Sequence, residues 1–138
     1  MKRKAAKSQG KEMDEDEISY KVIGAAIEVH KTLGGPGLLE GVYESCLYHE
    51  LKLQGLKVER QVLVPVTYKG EEVREPLIVD LLVEDKLIIE VKATEKDSSI
   101  HEVQLLTYLR LTGKKLGFLI NFGRKIAKEG VSRVVNGL

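Results

Sequence analysis

Two aliphatic runs, each with an acid at its centre, constrain this chain more than any other feature. Leu77-Ile78-Val79 and Leu81-Leu82-Val83 flank Asp80, while Leu87-Ile88-Ile89, Val91 and Ala93 surround Glu90 and Lys92. Short runs this rich in branched aliphatics read as buried strands. Aspartate is among the least favoured strand residues, and a carboxylate in a half-buried sheet costs several kcal/mol unless it is paired or metal-bound. Something must compensate these two acids.

On a strand, residues i and i+2 share a face, so Glu90 and Lys92 project together while Ile89 and Val91 point into the opposite layer. For Asp80 to join them, the loop between the runs must hold an odd number of residues, or a bulge must shift the register. A two-residue turn at Glu84-Asp85 would set Asp80 against Ile89, on the wrong face. Two carboxylates and a lysine on one face suit a hard divalent cation such as Mg²⁺, which takes oxygen ligands and keeps several waters. A bound water becomes a better nucleophile, and the ammonium can orient it or offset charge growing on an attacked phosphate. A cross-strand salt-bridge cluster without metal would use the same residues, so at this point both readings stand.

The chain's 138 residues fit one domain with a real core. Residues 1–15 lack apolar periodicity and carry like-charge blocks, which reads as a disordered tail before a single domain over 16–138. Ile18, Val22, Ala25/Ala26, Val29 and Leu33 recur at helical spacing up to Gly34-Gly35-Pro36, and a second helix follows from about Leu38 to Gln54. Then the period changes: VERQVLVPVTY, LIVDLLV and KLIIEVKA read as a three-stranded meander, with KGEE as a turn. A third helix over DSSIHEVQLLTYLRLTG, with a capping box from Ser99 to Glu102, leads to the buried strand LGFLINF and a candidate strand VSRVV. The order ααβββαβ(β) predicts an α/β or α+β fold, a mixed central sheet flanked by helices.

Net charge is only +1, which at first disfavours a nucleic-acid partner. Resolved along the chain it does not: residues 18–109 sum to −5 and residues 110–138 to +6. A basic end carrying Lys114, Lys115, Arg124 and Lys125, beside an acidic middle, fits a phosphate-binding surface next to a metal site, and equally fits solvated surface charge with no partner. No apolar run approaches the roughly 20 residues that cross a bilayer, and a lone Cys46 with no signal-like N-terminus predicts a soluble cytoplasmic protein. Cys46 reads as a small buried hydrophobe, and His30, His49 and His101 lie on three different helices without ligand spacing, as surface or boundary residues. Gly34-Gly35-Pro36-Gly37 has neither the preceding strand nor the Lys-Ser/Thr of a phosphate loop.

Asp80 followed one strand later by Glu90-x-Lys92 resembles the signature of the restriction-endonuclease-like PD-(D/E)XK nuclease superfamily, with Val79 where that signature has Pro. Gly37-x-x-Glu40-x-x-Tyr43 is similar to the motif that names the GxxExxY proteins within it, and Gln104-x-x-x-Tyr108 resembles the QxxxY element of RecB-like members. The resemblance spans about residues 18–136 and implies a restriction-endonuclease-like core and Mg²⁺- or Mn²⁺-dependent phosphodiester cleavage. It implies that Asp80 and Glu90 hold metal, that Lys92 assists the water or the transition state, and that Glu40 adds a carboxylate. Gln104 and Tyr108 would orient site or substrate, with Tyr43 and Gly37 supporting. DNA is the expected polymer, and a homodimer is one way so small a domain could grip a duplex. A non-cleaving binding or assembly module of the same fold is the rival, and an interaction protein with a purely structural acidic cluster is a third.

Overall fold

Helix α1 (Glu15–Thr32) starts where acids accumulate because Asp14 caps it: Glu17 N donates to Asp14 Oδ1 at 2.9 Å and Asp14 N to Glu17 Oε1 at 3.0 Å, a reciprocal capping box. Glu15, Asp16 and Glu17 then oppose the positive end of the helix dipole. The computed structural model describes residues 12–96 and 99–138, so residues 1–11 of the expected tail lie outside the described residues. Glu12–Glu15 do not continue such a tail. Lys86 Nζ donates to Met13 O at 2.7 Å and to Glu12 Oε1 at 3.2 Å, and Met13 packs on the core, so the fold includes residues before the limit expected at residue 16.

After α1 come α2 (Glu40–Leu53), β1 (Val58–Tyr68), β2 (Glu71–Val83), β3 (Leu87–Lys92), α3 (Ser99–Thr112), β4 (Leu116–Asn121), a 3₁₀ turn (Ala127–Gly130) and β5 (Val131–Val135). The expected order is present, with VSRVV as the fifth strand. Helix α3 begins at Ser99 itself, so its capping position falls on residue 98, outside the described residues. The five strands form one mixed sheet in the order β1-β2-β3-β4-β5, antiparallel except for β3 against β4, which α3 joins as a crossover. Only Lys69-Gly70 turn between β1 and β2; Glu71 and Glu72, expected in the turn, already pair with β1. Residues 71–76 are exposed on both faces of a two-stranded extension, so no apolar alternation marks them as strand.

Alternation divides the core. Leu87, Ile89 and Val91 pack with Ile18, Val22, Tyr43 and Leu47 under α1 and α2, while Ile88 joins Leu82, Leu119, Leu105 and Leu109 under α3. The loop between β2 and β3 is Glu84-Asp85-Lys86, three residues, with Glu84 and Asp85 at φ 53 and 57 and Lys86 N donating to Val83 O at 3.0 Å. Leu81↔Ile89, Leu82↔Ile88 and Val83↔Leu87 pair, and the same register carries Asp80 opposite Glu90. An odd loop meets the condition the acids impose. Among the described residues no helix is long and apolar enough to cross a membrane.

Candidate active site

The regular β2–β3 ladder ends at Leu81↔Ile89, and the two acids replace the next rung. Asp80 N donates to Glu90 Oε2 at 2.9 Å, and Val91 N donates to Asp80 Oδ2 at 2.8 Å. Each carboxylate is thus fixed to the other strand's backbone, and its second oxygen accepts no hydrogen bond among the described residues. Burial, followed by the Asp80 charge, pushes the Glu90 carboxyl up to about 8. Burial also raises Asp80, against the bond from Val91, with the charges of Glu44 and Glu40 adding to the rise. Lys92, partly buried on the same face as Glu90, counters both shifts without a direct ion pair among the described residues.

Opposite Asp80 on β1 stands Gln61, a non-glycine residue at φ 51. The pairs Arg60↔Leu81 and Val62↔Val79 continue on both sides of it, yet Gln61 and Asp80 do not pair. Both strands turn over here. Val58 and Leu81 pack under α1 and α2, but Val62 and Val79 pack under α3, although residues two or four apart on a regular strand share a face. Gln61 Nε2 donates to Glu44 Oε2 at 2.8 Å, Arg60 Nη2 approaches the same oxygen at 3.3 Å, and Glu44 is buried. The sequence reading missed Gln61, Arg60 and Glu44. Glu44 had a usable signal: it lies three residues before Leu47 and seven before Leu51, an acid on the flank of an apolar helical stripe. Gln61 had none, because its role depends on its backbone and on a partner from α2.

The other expected site residues divide. Glu40 opens α2, exposed, and its charge reaches Asp80. Tyr108 on α3 is half-buried, and burial, then the charges of Glu90 and Asp80, raises its hydroxyl. Gln104, one turn earlier, is exposed and hydrogen-bonds to nothing among the described residues. Tyr43 is fully buried, stacked on Phe122 at 4.7 Å; its hydroxyl donates to Gly35 O at 2.7 Å and accepts from Leu38 N at 3.2 Å. It therefore supports the loop that bears Gly37 (φ 113), with its hydroxyl engaged by that loop's backbone.

Lys114 and Lys115 are not at this site. They precede β4, whose Leu116 pairs with Leu87 and whose Leu119 pairs with Glu90, which puts Lys115 about 13 Å along the strand from the level of Glu90 at ~3.3 Å per residue. Lys114 Nζ instead meets Asp85 Oδ1 at 3.3 Å. Arg124 and Lys125 leave the other end of β4, where Phe122 N donates to Lys92 O at 2.8 Å, and with Gly37, Thr94 and Gly123 they line a cleft of about 720 Å³. Of the histidines, His30 is buried rather than at the boundary, with Nε2 2.8 Å from Arg124 O.

A divalent ion fits the Asp80–Glu90 pair on chemical grounds: two oxygen donors converge where burial and mutual repulsion both oppose their charge, and a cation would relieve both. Among the described residues no three or more His, Cys, Asp or Glu side chains are grouped to hold a metal. Water would therefore complete the shell, as Mg²⁺ favours.

Helices on both faces of a mixed sheet, with two carboxylates and a lysine meeting on consecutive strands, define a restriction-endonuclease-like domain. The chain belongs to the PD-(D/E)XK nuclease superfamily, whose family model matches residues 16–134. No curated protein and no solved structure matches it.

Proposed function

We propose that this chain is a metal-dependent nuclease that hydrolyses phosphodiester bonds in nucleic acid, with DNA as its polymer. Asp80 and Glu90 would hold Mg²⁺ or Mn²⁺. The reciprocal Asp80–Glu90 linkage, with Lys92 on the Glu90 face, is the observation that carries this function, and membership of a nuclease superfamily supports it. The bound ion would supply a Lewis acid and a water of lowered pKa. Lys92 orients the attacking water or offsets charge on the phosphate oxygens. Glu40, at the start of α2, adds negative charge on the Asp80 side, and Tyr108 limits the site from α3. Arg124 and Lys125, on the cleft beside Gly37, take backbone phosphates as the strand leaves the site. The similarities to GxxExxY proteins and to the RecB-like QxxxY element belong to this proposal.

The test is incubation of the protein with single- and double-stranded DNA and Mg²⁺ or Mn²⁺, beside Lys92→Ala and Asp80→Asn. Cleavage that needs the metal and disappears in both variants supports the assignment. Cleavage unchanged by both would remove it, and salt-sensitive binding without cleavage would favour a binding module of the same fold.

A further inference from the structure

We propose that Gln61 is a positioning residue of this site, acting through Glu44; the inference rests on the metal-dependent reading above. Gln61 holds a left-handed backbone, which is unfavourable for a residue bearing Cβ. The cost is not needed for a change of register, because the β1–β2 pairs on either side of Gln61 keep the same one. What the conformation does is local to the acids. It removes the rung between Gln61 and Asp80, so that Asp80 is held from the β3 side, and it lets the Gln61 amide reach across to α2.

There the amide donates to Glu44 Oε2 at 2.8 Å, and the Arg60 guanidinium shares that oxygen at 3.3 Å while also donating to Ser45 Oγ at 3.3 Å. Both donors act on Oε2, and Oε1 accepts no hydrogen bond among the described residues. A buried carboxylate held by one oxygen is an oriented acceptor for water. Glu44 does not group with Asp80 and Glu90 as a direct ligand set. Its place would be the outer shell, where it would accept from a water held by the ion, and groups of that kind typically affect metal affinity 10- to 100-fold.

Positioning and mere strand geometry predict different results for Gln61→Gly, which tolerates positive φ and removes the amide with its two methylenes. Thermal unfolding in EDTA and Mn²⁺ titration followed by the electron paramagnetic resonance of the free ion would be compared for wild type, Gln61→Gly, Gln61→Asn and Asp80→Asn. The expected result is a Gln61→Gly protein at least as heat-stable as wild type in EDTA that binds Mn²⁺ about tenfold more weakly. Gln61→Asn keeps an amide and tolerates positive φ but is one methylene short, and should fall between the two. If Asp80→Asn loses Mn²⁺ while Gln61→Gly binds it like wild type, the Gln61 role is overturned and the metal site stands. If wild type itself takes up no Mn²⁺, the metal reading falls and this inference falls with it.

Discussion

Asp80 and Glu90 are each bonded to the other's strand: the Asp80 N–H donates to the Glu90 carboxylate at 2.9 Å, and the N–H beside Glu90, that of Val91, donates to the Asp80 carboxylate at 2.8 Å. Neither acid can swing away without breaking the bond that ends the β2–β3 pairing. The arrangement confines two acids in a partly buried space that opposes their ionisation, and the charge of Lys92 works against that opposition at both. Removing one charge, or placing a cation beside the pair, should relieve that opposition.

Above about pH 8, where both acids are ionised, Glu90→Gln and Asp80→Asn should therefore stabilise the metal-free protein, because each removes one repelling charge and keeps an oxygen to accept the backbone N–H. A gain of about 1 kcal/mol or more in EDTA is expected, as higher urea midpoints. The same variants should lose the stabilisation that millimolar Mn²⁺ gives wild type through mass action. A wild-type protein whose unfolding ignores Mn²⁺ would contradict the metal assignment.

The pH dependence has a definite sign. Glu90 is raised from an ordinary 4.5 to about 8 in the folded protein, so the folded state holds this proton more tightly than the unfolded one. Its contribution to stability is full below about 4.5, declines as pH rises through that interval, and is gone above about 8. Metal-free protein should lose up to a few kcal/mol across this window in urea unfolding. With Mn²⁺ the decline should flatten, since the ion favours the ionised carboxylate; equal slopes with and without the ion would count against it.

The acids and Lys92 were legible because they interrupt aliphatic runs that read as buried strands, and an interruption is visible without any tertiary contact. Parity required an odd loop or a bulge between the two strands, and the three-residue loop is the first of these. The first half of β2 was not legible, since a ribbon exposed on both faces has no apolar alternation. Gln61 and Glu44 meet across 17 positions of sequence, through a backbone conformation that glutamine does not advertise. Charge summed along the chain joined Lys114 to Arg124, but strand β4 runs between them and holds them at opposite ends of the sheet.

That separation yields a paired prediction. Lys92→Ala should abolish cleavage with little change in folding stability, whereas Lys114→Ala should leave cleavage intact and cost at most about 0.5 kcal/mol through its surface pair with Asp85. Turnover and urea midpoints on the same preparations check both. Equal loss of cleavage in the two variants would mean that substrate runs the full length of β4.

Glycines give the last contrast, because two of them answer opposite demands. A Cβ on Gly123 would lie 2.1 Å from Thr94 O, backbone that cannot yield, while one on Gly41 would meet nothing within 4 Å. Gly123 lets the chain after β4 lie against the exit of β3, just past Lys92, where Asn121 Oδ1 accepts from both Thr94 N at 3.0 Å and Gly123 N at 2.9 Å. Gly123→Ala must push these segments apart, and should cost about 3 kcal/mol or more and displace Lys92. Gly41 sits at the second position of α2 with ordinary helical geometry, so Gly41→Ala should stabilise by about 0.5 kcal/mol through helix propensity. Urea unfolding separates the two by sign. Cleavage adds the functional half: Gly41→Ala should keep it unless nucleic acid packs directly on the first turn of α2, whereas any folded Gly123→Ala protein should cleave poorly because the lysine has moved.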